Sequence, residues 1–237
     1  MAGFRTHITV STLGGVAYGY AGARLGLAIP TCVLAGGLCS IAGMMPDLDS
    51  DSGVPARETV GFAAAITPML MLHRMQALGF SIEQMVLAGA AIYMSIRFGI
   101  GWLLKTLSVH RGMFHSIPAA LIAGLIAFLI CDSGTHFARY YKALAVTLGY
   151  LIHLVLDEIW SLDFGAGIPR AKKSLGTAMK LYGHELGPNL ATYCLLAALG
   201  YTAFEEDPSF WKNITSIREL RNAESTATKP ELDESPR

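Results

Sequence analysis

The sequence predicts an all-α fold, a polytopic bundle of about seven transmembrane helices followed by a polar C-terminal tail. Hydrophobic residues make up 52% of the 237 residues and charged residues only 15%, against about 25% charged in typical soluble chains. The mean hydropathy is +0.43. In addition, the charged residues are placed so that long apolar segments remain between them, and several of these segments lack the polar face of a helix on a soluble protein.

Seven apolar segments follow one another along the chain. They cover residues 6–23, 25–45, 59–72, 84–104, 112–131, 143–156 and 186–204. A helix that spans a bilayer needs about 20 mainly apolar residues, and three segments meet this length comfortably. The alternative is a soluble bundle with large buried helices, but runs such as LIAGLIAFLI (residues 121–130) are apolar on every side. We therefore predict a membrane-embedded domain over residues 1–204 and a polar, disordered tail over residues 205–237.

The composition also limits the classes of partner and cofactor. The net charge is zero, so no nucleic-acid partner is expected. The four cysteines all lie in apolar segments and form no C-x-x-C pair. This pattern favours small buried hydrophobic residues over a disulfide framework or a cysteine zinc site.

The ionisable residues gather in four clusters at the ends of apolar segments. The clusters are His7; Asp47, Asp49 and Asp51; His110, Arg111 and His115; and His153 and Asp157. Ionisable groups in a membrane are costly, so they normally face the protein interior and mark a functional site. His153 and Asp157 are four residues apart and therefore share one helix face, where imidazole and carboxylate can bind one metal ion.

Three of the four clusters have an alternative interpretation. Asp47, Asp49, Asp51 and Glu58 have the spacing of a calcium loop, but Ser52 stands where that loop requires glycine. His153 and Asp157 could instead satisfy each other by a hydrogen bond.

The third cluster is predicted at the start of a helix. Gly112 would interrupt the chain, and His115 would lie in the first turn of the helix that follows. The alternative for this cluster is a His-Arg anchor at the membrane boundary.

The order of the segments brings the clusters to one side of the membrane. If all seven segments span, the ends of even-numbered helices and the starts of odd-numbered helices lie on the same face, and every cluster lies at such an end. The loops on that face carry eight Lys and Arg residues, and the loops on the other face carry four, which are Arg24, Arg74, Arg139 and Lys142. The tail's five positive charges also fall on the other face. The positive-inside rule then predicts a site on the cytoplasmic face.

The motifs MPDLD, HRGMFHS and GYLIHLVLD resemble those of the YdjM-like family of inner-membrane-associated proteins, described as metal-dependent hydrolases. The matching positions are His7; Pro46, Asp47 and Asp49; His110, Arg111, Gly112, His115 and Ser116; and Gly149, His153 and Asp157. Two positions depart from the family pattern. Phe114 stands where members usually have Thr, and Met45 where they usually have Leu. The resemblance implies an inner-membrane metalloprotein with hydrolytic activity.

From the clusters and the resemblance we predict one or two divalent ions in a shared site. The expected ligands are His7, Asp47, Asp49, His110, His115, His153 and Asp157. Mixed imidazole and carboxylate ligands favour zinc, with manganese or iron as alternatives. Asp51 or Glu158 is expected to act as the base, and Arg111 to hold an anionic group of the substrate.

The predicted reaction is hydrolysis of a phosphoester or lipid-like substrate, such as a phospholipid, because the site would open among lipid headgroups. Two other functions remain open from the sequence. Intramembrane His and Asp residues also line ion and proton pathways, which would indicate metal or ion transport. A basic loop between residues 170 and 180 could bind anionic lipid, which would indicate a non-catalytic anchor or scaffold.

Overall fold

The computed structural model of the chain describes residues 3–49, 53–100, 113–131, 135–163, 170–171, 179–183 and 185–208. The described helices are α1 (Phe4–Arg24), α2 (Ile29–Ala42), α3 (Gly53–Leu70), α4 (Leu72–Ala77), α5 (Ile82–Met94), α6 (Ile117–Ile130), α7 (His136–Trp160) and α8 (Leu186–Glu206). A 3₁₀ turn (Pro46–Asp49) follows α2, a π-helical segment (Ser95–Ile100) continues α5, and two-residue strands β1 (Leu162–Asp163) and β2 (Arg170–Ala171) pair antiparallel. Each predicted apolar segment overlaps one of the long helices, which confirms the all-α prediction.

The chain divides into two units, Met1–Leu199 and Gly200–Arg237. The described part of the second unit is the end of α8 and the two residues after it. Most of the predicted tail lies outside the described residues. The candidate site and the cavity discussed below lie within the first unit.

Helix α7 is the centre of the first unit and packs against α1, α2 and α6. Its buried face contributes Val146, Tyr150 and Leu154 to a core that also contains Leu38 of α2 and Ala123 of α6. The apolar residues of α7 recur at helical spacing, so one side of the helix is covered by its neighbours. The core therefore holds together the helix ends that carry the polar clusters.

Several helices begin at a residue whose side chain caps the first turn. Thr135 accepts a hydrogen bond from the Ala138 amide at the start of α7, and Ser116 accepts one from the Ala119 amide at the start of α6. Ser81 and Gln84 form a reciprocal capping box at α5. Each of these side chains satisfies an amide that the first helical turn leaves without a partner.

Helix α7 begins earlier than the apolar segment at residues 143–156 predicted. Arg139 and Lys142, expected in a loop, lie inside the helix and are buried. The Arg139 Nε donates to the Phe128 carbonyl of α6 at 2.7 Å, and its guanidinium lies 3.9 Å from the centre of the Phe128 ring. Because this partner is close by, Arg139 can be buried within a helix that is otherwise mainly apolar.

The outer surface of the described helices carries many large apolar side chains. Leu13 and Val16 of α1, Val33 of α2 and Leu87 of α5 are each more than 60% exposed. Among the described helices, α7 is long and apolar enough to cross a bilayer by length and composition, and α2 and α6 are shorter apolar helices. An exposed apolar surface of this extent is typical of contact with lipid or with another protein.

Glycines allow the helices around the site to approach closely. A Cβ at Gly149 of α7 would lie 2.0 Å from the Cys39 carbonyl oxygen of α2, and a Cβ at Gly43 would lie 2.4 Å from the Ser11 Cβ of α1. These distances are far below van der Waals contact. Small residues at such crossings let two helix backbones pack against each other.

We expect Gly149→Ala to destabilise the protein because its methyl group would push α2 away from α7. Overpacking of this kind costs about 1–3 kcal/mol, and the loss would be measured as a lower unfolding temperature in detergent. Gly37→Ala on α2 is the matched control, since its Cβ would meet no atom within 4 Å. Equal unfolding temperatures for the two variants would contradict the close packing of α2 on α7.

Candidate metal centre

Five of the predicted ligands lie at one end of the helix bundle. His7 is in the first turn of α1, Asp47 is in the 3₁₀ turn after α2, and His115 directly precedes the Ser116 cap of α6. His153 and Asp157 lie in the last turns of α7. The cluster therefore lies where the starts of α1 and α6 meet the ends of α2 and α7. The order of the apolar segments predicted that these ends would lie on one side.

The two carboxylates and three imidazoles face one another at short range. His7 Nε2 is 3.2 Å from Asp157 Oδ1, and His153 Nε2 is 3.6 Å from both Asp47 Oδ1 and Asp157 Oδ2. His115 Nε2 is 3.8 Å from the same two carboxylate atoms of Asp47 and Asp157. Most of these separations exceed a hydrogen bond, whose N–O distance is about 2.7–3.2 Å.

The His153 ring is oriented by a main-chain carbonyl. Its Nδ1 lies 2.7 Å from the Gly43 oxygen. A carbonyl can only accept, so Nδ1 carries a proton, and Nε2 is the nitrogen that faces Asp47 and Asp157. This Nε2 is buried and has no hydrogen-bond partner among the described residues. A histidine held through one nitrogen with the other free is the usual arrangement of a metal ligand.

The position of His7 is fixed by stacking and by an anchored helix start. Its ring stacks on that of His153, with centroids 3.7 Å apart and an angle of 13° between the planes. One turn later, the Ser11 hydroxyl contacts the His7 carbonyl at 2.6 Å and the Ser40 carbonyl of α2 at 3.0 Å. These contacts tie the start of α1 to α2, which holds the imidazole beside α7.

The five side chains are buried to different degrees. Those of His7, His153 and Asp157 are at most 2% exposed, that of His115 is 7% exposed, and that of Asp47 is 22% exposed. Burial alone would raise the pKa of the Asp47 carboxyl, but the neighbouring imidazoles of His115, His153 and His7 outweigh it and hold that pKa below its ordinary value. Asp47 is therefore ionised at neutral pH, and it marks the more accessible side of the site.

His115 precedes its helix, which differs from the prediction that placed it in the first turn. Helix α6 begins at Ile117, because Ser116 adopts the extended backbone of a helix cap. Two contacts hold the chain on either side of the cap: Tyr150 of α7 donates to the Phe114 carbonyl at 2.5 Å, and the Ile117 amide donates to the Lys180 carbonyl at 3.1 Å. Ser116 therefore shapes the chain that presents His115.

Other predicted site residues are outside the five-residue cluster or outside the described residues. The positions of Asp51, His110 and Arg111, and the side chain of Asp49, lie outside the described residues. Glu158 is half-buried and belongs to neither of the two described groups that could hold a metal ion, His7–Asp47–His153 and His115–His153–Asp157. The roles predicted for these residues stay predictions.

Glu58, the last position of the alternative calcium loop, is described and points elsewhere. Its side chain is 64% exposed and pairs with Arg57 on α3 at 3.3 Å. It takes no part in the described His/Asp groups. The geometry of the described residues thus favours the mixed imidazole and carboxylate cluster over a calcium loop.

Sequence reasoning missed two residues that build the site, Gly43 and Ser11. Gly43 acts through its carbonyl, which no side-chain pattern can indicate. Ser11 was detectable in principle, because it lies one helical turn after His7 in a Gly-rich helix.

The two departures from the family pattern lie together. Met45 and Phe114 both line an apolar cavity beside the cluster. Neither residue belongs to the described His/Asp groups.

The comparison with protein families identifies the chain. The YdjM inner membrane protein family matches residues 1–211. No curated protein and no solved structure matches the chain. The family match covers the described cluster and all the described helices, and it confirms the resemblance seen in the motifs. The chain belongs to the YdjM inner membrane protein family.

Proposed function

We propose that the chain is a metal-dependent hydrolase of the inner membrane that acts on a phosphoester or lipid-like substrate. The observation that carries the proposal is the buried cluster of His7, Asp47, His115, His153 and Asp157, in which the His153 Nε2 has no hydrogen-bond partner among the described residues. Buried polar atoms are normally satisfied. A bound cation would satisfy this nitrogen.

The distances within the cluster fit a transition-metal ion. Four ligands placed tetrahedrally about 2.1 Å from zinc lie about 3.4 Å from one another, and the N–O separations in the cluster run from 3.2 to 3.8 Å. The charge fits as well. The two carboxylates of Asp47 and Asp157 would supply two negative charges, which a divalent cation would neutralise. Zinc is proposed first because it accepts imidazole and carboxylate ligands together.

The described residues support one ion. Both described His/Asp groups include His153, whose Nδ1 is committed to the Gly43 carbonyl. The remaining Nε2 can bind a single ion, so the two groups are alternative parts of one site. A second ion would need ligands beyond the described residues, such as the predicted Asp49 and His110.

In the proposed mechanism, the ion would act as a Lewis acid toward a substrate oxygen and water. The protein's own residues hold and orient the reactants. Asp47, the most exposed of the five, lies where substrate would approach, and the stacked rings of His7 and His153 form a buried wall of the site. Glu158 or Asp51 would accept a proton from the attacking water, and Arg111 would bind the anionic group.

We further propose seven spans with the site on the cytoplasmic face. Support comes from the overlap of every predicted apolar segment with a helix and from the convergence of the polar helix ends. The site at a membrane surface would meet lipid headgroups. This placement favours hydrolysis over transport, because a transport path requires polar groups through the depth of the membrane.

The test compares two neighbouring carboxylate variants in a hydrolysis assay. Purified protein in lipid nanodiscs would be loaded with zinc or manganese and given a panel of phosphoester, ester and amide lipids. Asp157→Asn is expected to lose both metal and turnover. Glu158→Gln is expected to keep its metal and, if Glu158 is the base, to lose about 10²–10⁴-fold in rate. A metal-loaded wild type that leaves the whole panel intact would contradict the hydrolase proposal.

A further inference from the structure

An apolar cavity of about 400 Å³ lies beside the metal cluster. This volume falls within the range of about 300–1,000 Å³ that is typical of small-molecule sites. Its walls come from the 3₁₀ turn and the residue before it, from one face of α6 and the segment that precedes this helix, from Tyr150 of α7 and from α8. No residue of the described metal-ligand groups lines it.

Helix α8 closes the cavity with one stripe of side chains. The stripe consists of Pro188, Ala191, Thr192 and Leu195, whose spacing places them on one face of a helix. None of the described residues of α8 is buried. The stripe therefore covers the cavity without being packed into a protein core.

The polar side chains of the lining have their hydrogen-bonding groups engaged within the protein. The Thr192 hydroxyl donates to the Pro188 carbonyl at 2.8 Å, and the Tyr150 hydroxyl donates to the Phe114 carbonyl at 2.5 Å. The other lining residues are aliphatic, aromatic or methionine. The lining thus favours an occupant that is apolar over its whole length inside the cavity.

The cavity and the cluster share segments of chain. Leu48 of the lining follows Asp47, Phe114 of the lining precedes His115, and Tyr150 lies one turn before His153. A molecule whose apolar part filled the cavity would therefore hold its polar end close to the imidazoles and carboxylates. Membrane lipids have this shape, and the family places the chain in a membrane.

We propose that the cavity is an acyl-chain site that holds one hydrocarbon tail of a lipid while its headgroup or ester linkage lies at the metal cluster. The inference rests on the proposed function for the role of the headgroup end. The binding of the tail depends on the cavity alone. The acyl-chain site defines the substrate class as a molecule with a long alkyl chain. It predicts that short or water-soluble phosphoesters bind poorly.

The test is photo-crosslinking with a palmitoyl lysophospholipid that carries a diazirine near the end of its chain. The protein would be held in nanodiscs, and labelled residues would be mapped by mass spectrometry. We expect labelling concentrated on the cavity walls of α6 and α8, with competition by an unlabelled palmitoyl lipid and little competition by its hexanoyl counterpart. Labelling spread evenly over exposed positions such as Leu13 and Val33 would overturn the proposal.

A matched pair of substitutions on α8 tests the same site. Ala191→Trp would fill the cavity from an exposed position, and we expect cavity labelling to fall roughly tenfold because the added ring competes with the chain for space. Ala197→Trp, on the opposite face of α8 and also exposed, should leave the labelling unchanged. Equal labelling in both variants would contradict the acyl-chain site.

The metal-free variant Asp157→Asn separates this proposal from the hydrolase proposal. Cavity labelling should persist in it, since its substitution leaves the cavity lining intact. If the wild type is labelled in the cavity but hydrolyses no lipid, the acyl-chain site stands and the reaction is wrong. If lipids are hydrolysed without cavity labelling, the reaction stands and the acyl-chain site is wrong.

Discussion

The variant His153→Asn is expected to lose metal binding while keeping the fold. Asparagine can place its amide N–H near the position of the imidazole Nδ1, which preserves the hydrogen bond to the Gly43 carbonyl. It cannot supply the Nε2 lone pair that faces Asp47 and Asp157. We expect metal affinity to fall by more than about 100-fold, the upper range for loss of a residue that only supports a ligand. Plasma mass spectrometry of the detergent-purified protein would measure the bound metal.

The control for this variant is His136→Asn, at the other end of the same helix. His136 is exposed and belongs to neither described His/Asp group, so about one equivalent of metal should remain. Equal metal content in the two variants would exclude His153 as a ligand. Absence of metal from the wild type after addition of zinc and manganese would exclude the metal centre altogether, and protonated imidazoles would then balance the two carboxylates.

Removal of the metal is expected to lower the thermal stability of the wild-type protein. A ligand that binds only the folded state at about 100 times its Kd stabilises that state by about 2.7 kcal/mol. At about 2–4 °C per kcal/mol for a chain of this size, a chelator should lower the unfolding temperature by about 5–10 °C. The measurement is a thermal scan in detergent with and without chelator, followed by addition of zinc to restore the transition.

The variant Asp157→Asn is expected to remove the effect of the chelator on the unfolding temperature. Without metal, the wild type buries the Asp157 carboxylate close to that of Asp47, and the repulsion between the two negative charges destabilises the folded protein. The amide removes that charge, so the variant should unfold at a higher temperature than the chelated wild type and should not respond to chelator. A variant less stable than the chelated wild type would instead indicate that Asp157 stabilises the fold through its contact with His7.

The sequence alone predicted the elements that depend on local composition. Inside a bilayer, a long apolar segment without charge forms a helix, because its backbone groups must be satisfied inside the segment. The four-residue spacing of Gly149, His153 and Asp157 fixes them on one face of α7. The order of the segments, combined with the positions of the charged residues, also predicted that the polar helix ends would converge.

Tertiary packing decided which atoms meet at the end of the bundle that carries the His/Asp cluster. The Gly43 carbonyl reaches His153 because glycines at residues 43 and 149 let α2 approach α1 and α7 closely. The stacking of His7 on His153 joins residues that are far apart in the sequence. Contacts of this kind depend on how helices cross, and the sequence specifies crossing only through the combined shapes of many side chains.

The start of α6 and the position of Arg139 also depended on tertiary packing and not on the sequence pattern alone. The sequence placed a helix near His115, but the Ser116 cap and the Tyr150 contact set its first residue. Arg139 was predicted in a loop by its charge, whereas the nearby Phe128 carbonyl and ring allow it to lie inside α7. The sequence by itself therefore determined the helices and the candidate ligands. Only the tertiary structure decided the orientation of those ligands and the apolar cavity beside them, because both arise from surfaces that distant parts of the chain form together.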